Sequence, residues 1–228
     1  MADRLRAYGV PASRVTEMIY GVSPAKRVRS IKTPAESLRF AFLGSAEPIK
    51  GLDVLLRAVE LLPDDLPLSI RAMGNEAVRD LIEQTSTRVR RYVRYHPPEF
   101  GRALDDAHAE IDAVLVPSLW HENSSLAVLE SLANGTPVLA VDQAGISHLI
   151  LEGQTGRLTE PGNPRAWARA FIDAVQHPTR IRRMQTNARF DRTTADFVND
   201  VETPEARLIQ HTPVSNTPRD RPLVGVYS

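Results

Sequence analysis

Two glutamates, Glu122 and Glu130, stand eight positions apart within the stretch HENSSLAVLESLANGTPVLA, residues 121–140. On one shared helix they would lie about 12 Å apart along its axis. A glycosidase works with its two carboxyl groups at roughly 5 to 9.5 Å, so this spacing suits the two ends of one elongated ligand better. Between the acids, the backbone amides of Ser124, Ser125 and Leu126 open a helix, and such an end attracts an anion. A ligand with a sugar at one end, a diphosphate in the middle and a ribose beyond would fit. That ligand is a nucleotide sugar.

Elements that must position these groups can be read around them. The apolar run Ala113–Val116 stops at Pro117-Ser118, as a buried parallel strand does at its carboxyl end. The polar turn His121–Ser125 supplies hydroxyl and amide groups able to cap a helix. Leu126, Leu129, Leu132 and Ala133 then recur at helical spacing, Asn134-Gly135 ends the helix, and Val138–Val141 forms the next strand.

Similar units lie upstream. Arg39–Leu43 reads as a strand, followed by the loop Gly44–Gly51 and a helix from Leu52 to Leu62. Leu66–Met73 is a second strand ending in Gly74-Asn75, and Glu76–Gln84 a helix. Val89–Tyr95 reads as a third strand, bearing Arg90, Arg91 and Arg94 as solvated bases, with a turn at His96-Pro97-Pro98 and a helix over Phe100–His108. Downstream, Asn163-Pro164 starts a helix whose core face is Trp167, Ala170, Phe171 and Val175, and Ile181–Ala188 forms another. The alternation predicts an α/β fold, a Rossmann-like parallel sheet flanked by helices.

Composition narrows the function. The 228 residues hold 28 basic and 28 acidic side chains, so no electrostatic case exists for nucleic acid as a partner. Without cysteine there are no disulfides and no thiolate metal sites, which suits a reducing cytosol. No apolar run approaches the roughly 20 residues a membrane helix needs. The sequence contains no GxxxxGK[ST] phosphate loop, no GxGxxG after the first strand, no GxSxG elbow and no HExxH pair.

The stretch from Trp120 to Val138 resembles the E-x7-E element of retaining GT-B glycosyltransferases of the family 4 type. It departs from the form WxENSPLxxxEAxAxGxPV only at Ser125 and Ser131. Gly44–Gly51 resembles that family's GRLxxxKG loop, with Lys50-Gly51 matching and Ser45 where arginine often stands. Asp142–His148 resembles its GGxxE turn, with Ala144 for one glycine and His148 for the acid, and Gly145 is expected to allow close backbone approach to the ligand.

The resemblance implies roles. Glu130 would hold ribose hydroxyls, Glu122 would position donor-sugar hydroxyls, and Lys50 would stabilise the diphosphate leaving group. Further donor contacts would come from Gly44, Ser45, Gly74, Tyr95, His96, Asn123, Ser124, Ser125 and Leu126. No metal or other cofactor is implied, only the nucleotide-sugar co-substrate. The acceptor would be a glycan, a lipid or a small molecule. A cytoplasmic setting is implied, with peripheral association at the inner face of the membrane left open.

Residues 1–30 resemble the end of a first GT-B domain and its linker, with Ile19–Ser23 keeping only the Gly-Val pair of a PNGVD-like turn. On this reading residues 31–190 form the donor-binding domain, the C-terminal half of a GT-B architecture. The acceptor-binding first domain is expected to be missing from this chain and to be supplied in cis or in trans, so that the chain alone binds donor but transfers poorly or not at all. Residues 191–228, broken by Pro204, Pro213, Pro218 and Pro222, are expected to be a largely disordered tail, with helix continuing only over Thr194–Val201. Two other readings stay open: a non-catalytic nucleotide-sugar-binding module or partner subunit, and an epimerase of related fold.

Overall fold

Strands in this chain are short and apolar on both sides, which suits a parallel sheet covered by helices on two faces. The computed structural model describes residues 2–15, 18–23, 37–122 and 124–209. Asn123, the expected domain boundary between residues 30 and 31, and the tail after residue 209 lie outside the described residues. The strands are β1 (Leu38–Leu43), β2 (Leu68–Met73), β3 (Val93–His96), β4 (Ala113–Val116), β5 (Val138–Val141) and β6 (Gly156–Thr159). The helices are α1 (Ala2–Ala7), α2 (Leu52–Glu60), α3 (Glu76–Glu83), α4 (Thr87–Tyr92), α5 (Arg102–Glu110), α6 (Leu126–Ala133), α7 (Pro164–Gln176), α8 (Pro178–Asn187) and α9 (Thr194–Ile209).

All six strands run parallel in the order β3-β2-β1-β4-β5-β6. The chain winds outward from β1 to the β3 edge, then returns to lay β4 on the other side of β1. This reversal opens a crevice beyond the carboxyl ends of β1 and β4, where ligands of such folds bind. The Rossmann-like α/β expectation is met. The central strands β4 and β5 are wholly buried, whereas the edges β3 (VRYH) and β6 (GRLT) carry polar side chains.

One face of the sheet is sealed by α2 and α7. Phe40 of β1 meets Phe171 of α7 at 5.6 Å between ring centroids, and Trp167 lies 5.9 Å from Phe171. All three rings are fully buried, so each removes a large apolar surface from water. Buried Asp112 then ties the layers by polar contacts. Its carboxylate accepts from the Arg39 backbone N–H at 2.8 Å, and its carbonyl accepts from Gln185 Nε2 of α8 at 3.0 Å.

The strand expected over Val89–Tyr95 is instead a helix, α4, followed by the shorter β3. Ser86 caps this helix by accepting the Val89 N–H at 3.2 Å, and buried Val89 and Tyr92 lie one turn apart on its inner face. Tyr92 also donates from its hydroxyl to the Pro63 carbonyl at 2.8 Å. Local capping and burial thus override the β-branched pattern, and Arg90 and Arg91 lie on α4 rather than on a strand. Ser86→Ala is expected to lower stability by about 1 kcal/mol, read as a shifted urea midpoint with unchanged slope.

At the chain's other end, α9 extends past the expected Val201 to Ile209. Residues before the sheet meet it: Val22 bridges to Thr193, Arg192 Nε donates to the Ile19 carbonyl at 2.8 Å, and Tyr20 packs edge-on against Phe197 at 5.2 Å. Among the described residues, no helix is long and apolar enough to cross a membrane.

Candidate active site at the carboxyl ends of the parallel strands

Lys50 follows β1 and Glu122 follows β4, so the strand reversal brings both to the crevice. The ammonium Nζ donates to Glu122 Oε1 at 3.0 Å. Seventy-two positions of chain separate them. Beneath this pair lies Ser118, which is buried, with its Oγ 3.3 Å from the same Glu122 oxygen and 3.2 Å from the Ile49 carbonyl. The Ile49 carbonyl also accepts the Leu119 N–H at 2.7 Å. The loops after β1 and β4 are therefore joined by backbone as well as by charge.

Two glycines make this closeness feasible. Gly51 has φ of +73°, and a Cβ there would stand 2.2 Å from the Pro117 carbonyl oxygen. Gly145 has φ of +85°, and its Cβ would stand 1.6 Å from the carbonyl oxygen of Glu122. No side chain fits either position, and positive φ disfavours any L-residue. Gly145 thus makes a close approach to the backbone of Glu122. The loop after β5 also holds the same segment through Gln143 Nε2, which donates to the Leu119 carbonyl at 3.0 Å.

The premise of two acids on one helix is corrected. α6 starts at Leu126 with Ser125 as its N-cap residue, and Glu122 lies in the loop before it. Gly145 packs against its backbone and Ser118 holds its carboxylate, so helical spacing does not set the separation of the carboxylates. The capping expected from the polar turn also differs: among the described residues, no side chain caps α6, Ser125 at its N-cap position making no such bond. The first amides of a helix have no partner within it. Beside them, the Ser124 hydroxyl is buried and has no hydrogen-bond partner among the described residues. A buried hydroxyl without a partner is costly, and a bound acceptor oxygen would relieve it.

Glu130, on α6, is partly buried. Burial raises its pKa above the ordinary value, with the Asp105 carboxylate adding a smaller push in the same direction. On the other side of the switch point, Gly44 and Gly74 are in backbone contact. Gly44 donates its N–H to the Met73 carbonyl at 3.0 Å, and Gly74 donates to the His96 carbonyl at 3.1 Å. A Cβ on Gly74 would come within 2.1 Å of the Gly44 oxygen. Ser45 is half-buried just after β1, while Tyr95 and His96 end β3 half-buried. Burial, with the Arg71 guanidinium next in weight, lowers the His96 pKa, so its imidazole is neutral at pH 7.

The structure thus joins Lys50 to Glu122 directly and sets Ser124, Ser125 and Leu126 at the adjoining helix start. Gly44, Ser45, Gly74, Tyr95 and His96 line the carboxyl ends of β1 to β3. Sequence reading missed Ser118, whose only signal was its place after Pro117 at the end of an apolar run. It also missed Ile49, which acts through its backbone carbonyl, and Gln143, whose side-chain amide donates to the Leu119 carbonyl. His148, which stands where the family's acid is expected, is exposed in the segment after β5. Among the described residues, no group of three His, Asp or Glu side chains is arranged to hold a metal ion.

Comparison with known proteins places the chain in a family. The model of the family described as glycosyl transferases group 1 matches residues 25–191. The chain belongs to the glycosyl transferases group 1 family. A D-inositol 3-phosphate glycosyltransferase of Nocardia farcinica is 33% identical over 198 residues, covering 82% of this chain and 44% of the relative. Another enzyme of that name, from Thermobispora bispora, is 28% identical over 206 residues, covering 82% of this chain and 48% of the relative. The chain therefore spans about half the length of these curated relatives. Among solved structures, a glycosyltransferase from Rickettsia africae superposes with a TM-score of 0.73 at 15% identity, over 90% of this chain and 60% of that one. Anabaena HepE, solved in complex with UDP-glucose, superposes with a TM-score of 0.67 at 18% identity, over 92% of this chain and 61% of its own. These two likenesses speak to the fold. In this group 1 chain, the family match includes both Lys50 and the Glu122–Glu130 segment.

Proposed function

We propose that this chain is the donor-binding, C-terminal half of a GT-B glycosyltransferase of the family 4 type, transferring a sugar from a nucleotide-sugar donor to an acceptor with retention. The Lys50–Glu122 pair across the strand reversal carries this reading, because it sets a cation and an acid beside a helix start in the ligand crevice. HepE, a neighbour of the same fold, was solved with UDP-glucose.

The chemistry follows from charge. When the bond between the sugar's anomeric carbon and the diphosphate oxygen breaks, negative charge grows on the diphosphate. The Lys50 ammonium neutralises part of it, and the first amides of α6 with the Ser124 hydroxyl donate hydrogen bonds to its oxygens. Glu122 accepts from donor-sugar hydroxyls. An acceptor hydroxyl oxygen forms the new bond to the anomeric carbon, and its proton leaves with the departing diphosphate. Glu130 accepts from the ribose hydroxyls, which favours its charged form and offsets the burial that otherwise disfavours it.

Calorimetric titration of the chain with UDP-, GDP- and ADP-sugars tests the reading, repeated with Glu130→Gln. One nucleotide class is expected to bind, and the variant to bind it about 10- to 100-fold more weakly, the usual range for a hydrogen bond to a charged group. Stability should move the other way. Because the folded-state pKa of Glu130 is raised, its charged form favours the unfolded chain above that pKa. Stability of the parent is therefore lost as pH rises through the window from the unfolded value, 4.5, to the higher folded one. Glu130→Gln is expected to be the more stable ligand-free form at pH 7. A well-folded chain that binds none of the three classes would sink the donor-domain reading.

A further inference from the structure

A second concavity lies at the opposite end of the strands from this crevice. Its volume is about 530 Å³, within the range of small-molecule sites, and it is enclosed by β5, β6, α7 and α8. Leu139 of β5 and Arg157 of β6 are register partners and line it together. Gly153, just before β6, and the C-terminal half of α7 also line it, so it sits toward the amino ends of the strands. It shares no residue with the crevice.

Three guanidinium groups, Arg157, Arg180 and Arg183, converge on this cavity. Asp173 of α7 is the carboxylate between them. It accepts from Arg157, and Arg180 Nη1 reaches its two oxygens at 2.8 and 3.0 Å. His177 Nδ1 lies 3.1 Å from the same carboxylate. Glu152 also lines the cavity, but one oxygen of it accepts the Leu158 N–H at 2.7 Å. Cations therefore outnumber acids in the lining.

Donors also remain for a ligand. Arg180 and Arg183 lie one helical turn apart on α8, a spacing that puts both on one face. Among the described residues, Arg180 gives hydrogen bonds from Nη1, and Arg183 from Nη2 to the Gly153 carbonyl at 3.0 Å. The Nε and second Nη of each are left to donate elsewhere. The Arg180 side chain is 60% exposed, so it stands at the mouth, while Leu139 and Met184 supply an apolar floor. Paired guanidinium forks over an apolar floor suit a tetrahedral oxyanion carried on a less polar body.

We propose that this cavity is a second ligand site, independent of the crevice, which binds a phosphate monoester whose organic part rests on Leu139 and Met184. Phenyl phosphate is the probe, with inorganic phosphate and phenol as its two halves, titrated calorimetrically into the full 228-residue chain. Phenyl phosphate is expected to bind more tightly than either half. Arg180→Gln/Arg183→Gln should weaken it at least tenfold, and Lys50→Met should leave it unchanged. Arg183→Gln alone leaves the Asp173 network in place and should weaken it several-fold, which keeps the test valid if the double variant misfolds. Vesicles of phosphatidic acid, compared with phosphatidylcholine, separate the sources of the monoester. Arginine-dependent capture on the former assigns a lipid headgroup, and binding of free phenyl phosphate alone assigns a soluble metabolite. The proposal is overturned if phenyl phosphate does not bind, if phenol binds equally well, if Arg183→Gln has no effect, or if Lys50→Met abolishes binding.

Discussion

Lys50→Met is expected to weaken binding of a nucleoside diphosphate by about 10- to 100-fold, while Glu122→Gln tightens it a few-fold. The two side chains are now each other's partner, at 3.0 Å. A diphosphate arriving at the crevice must share the ammonium with Glu122. Removing the negative charge of Glu122 releases Lys50 to the phosphates, whereas removing Lys50 leaves an uncompensated carboxylate facing them. A hydrogen bond to a charged group is worth about 1.5–3 kcal/mol, which sets the size of the loss. With intact nucleotide sugar the order should change: Glu122→Gln then also loses an acceptor for the sugar hydroxyls and binds less tightly than the parent. The two effects should not add, because contacting groups couple by about 0.5–3 kcal/mol in a double-mutant cycle. Folding stability should barely respond. The Lys50 side chain is 36% exposed, and such a pair contributes about 0–1 kcal/mol. Calorimetry with UDP, GDP and ADP, and then with the matching sugar nucleotide, gives all four corners of the cycle. Equal affinity of Glu122→Gln and the parent for the diphosphate would remove the competition from the account.

Gly145→Ala should cost about 2–5 kcal/mol of stability and displace Glu122 from the crevice. Two causes combine. A left-handed backbone costs an L-residue about 1–2 kcal/mol, and an added methyl in a filled space costs about 1–3 kcal/mol. Here the methyl would stand 1.6 Å from the Glu122 carbonyl, a backbone atom that can move only with its whole loop. Gly162→Ala is the control. Gly162 also has positive φ, +65°, but its Cβ would meet only a Leu119 methyl at an ordinary 3.7 Å. It should therefore show the backbone cost alone. Urea denaturation of the two variants separates strain from collision. Equal losses would mean that the loop bearing Glu122 yields freely, and that Gly145 does not fix it.

Chain order and residue type were enough for much of this protein. The apolar runs of β1, β4 and β5 are bounded by proline and glycine, and helical spacing follows β1 and β4, so a covered parallel sheet was legible. Glu122 and Glu130 were legible as functional candidates because they fall within a long, specific pattern, and Lys50 through the shorter Lys-Gly match in the loop after β1. The α4 helix was not, because Val89 and Val93 with Tyr92 and Tyr95 also suit a strand, and only burial of Val89 and Tyr92 beneath Ser86's cap decides between them.

The site's inner construction depended on tertiary contacts between parts of the chain remote in sequence. Nothing local says that Lys50 and Glu122 would meet, since that follows from the return of β4 to the side of β1. Nor does residue type say that Gly145 would lie against the backbone of Glu122, or that Ser118 would sit beneath it. A sequence displays side-chain chemistry and its periodicity. Which backbone carbonyl faces which glycine is settled only when loops from separate strands share one edge of the sheet.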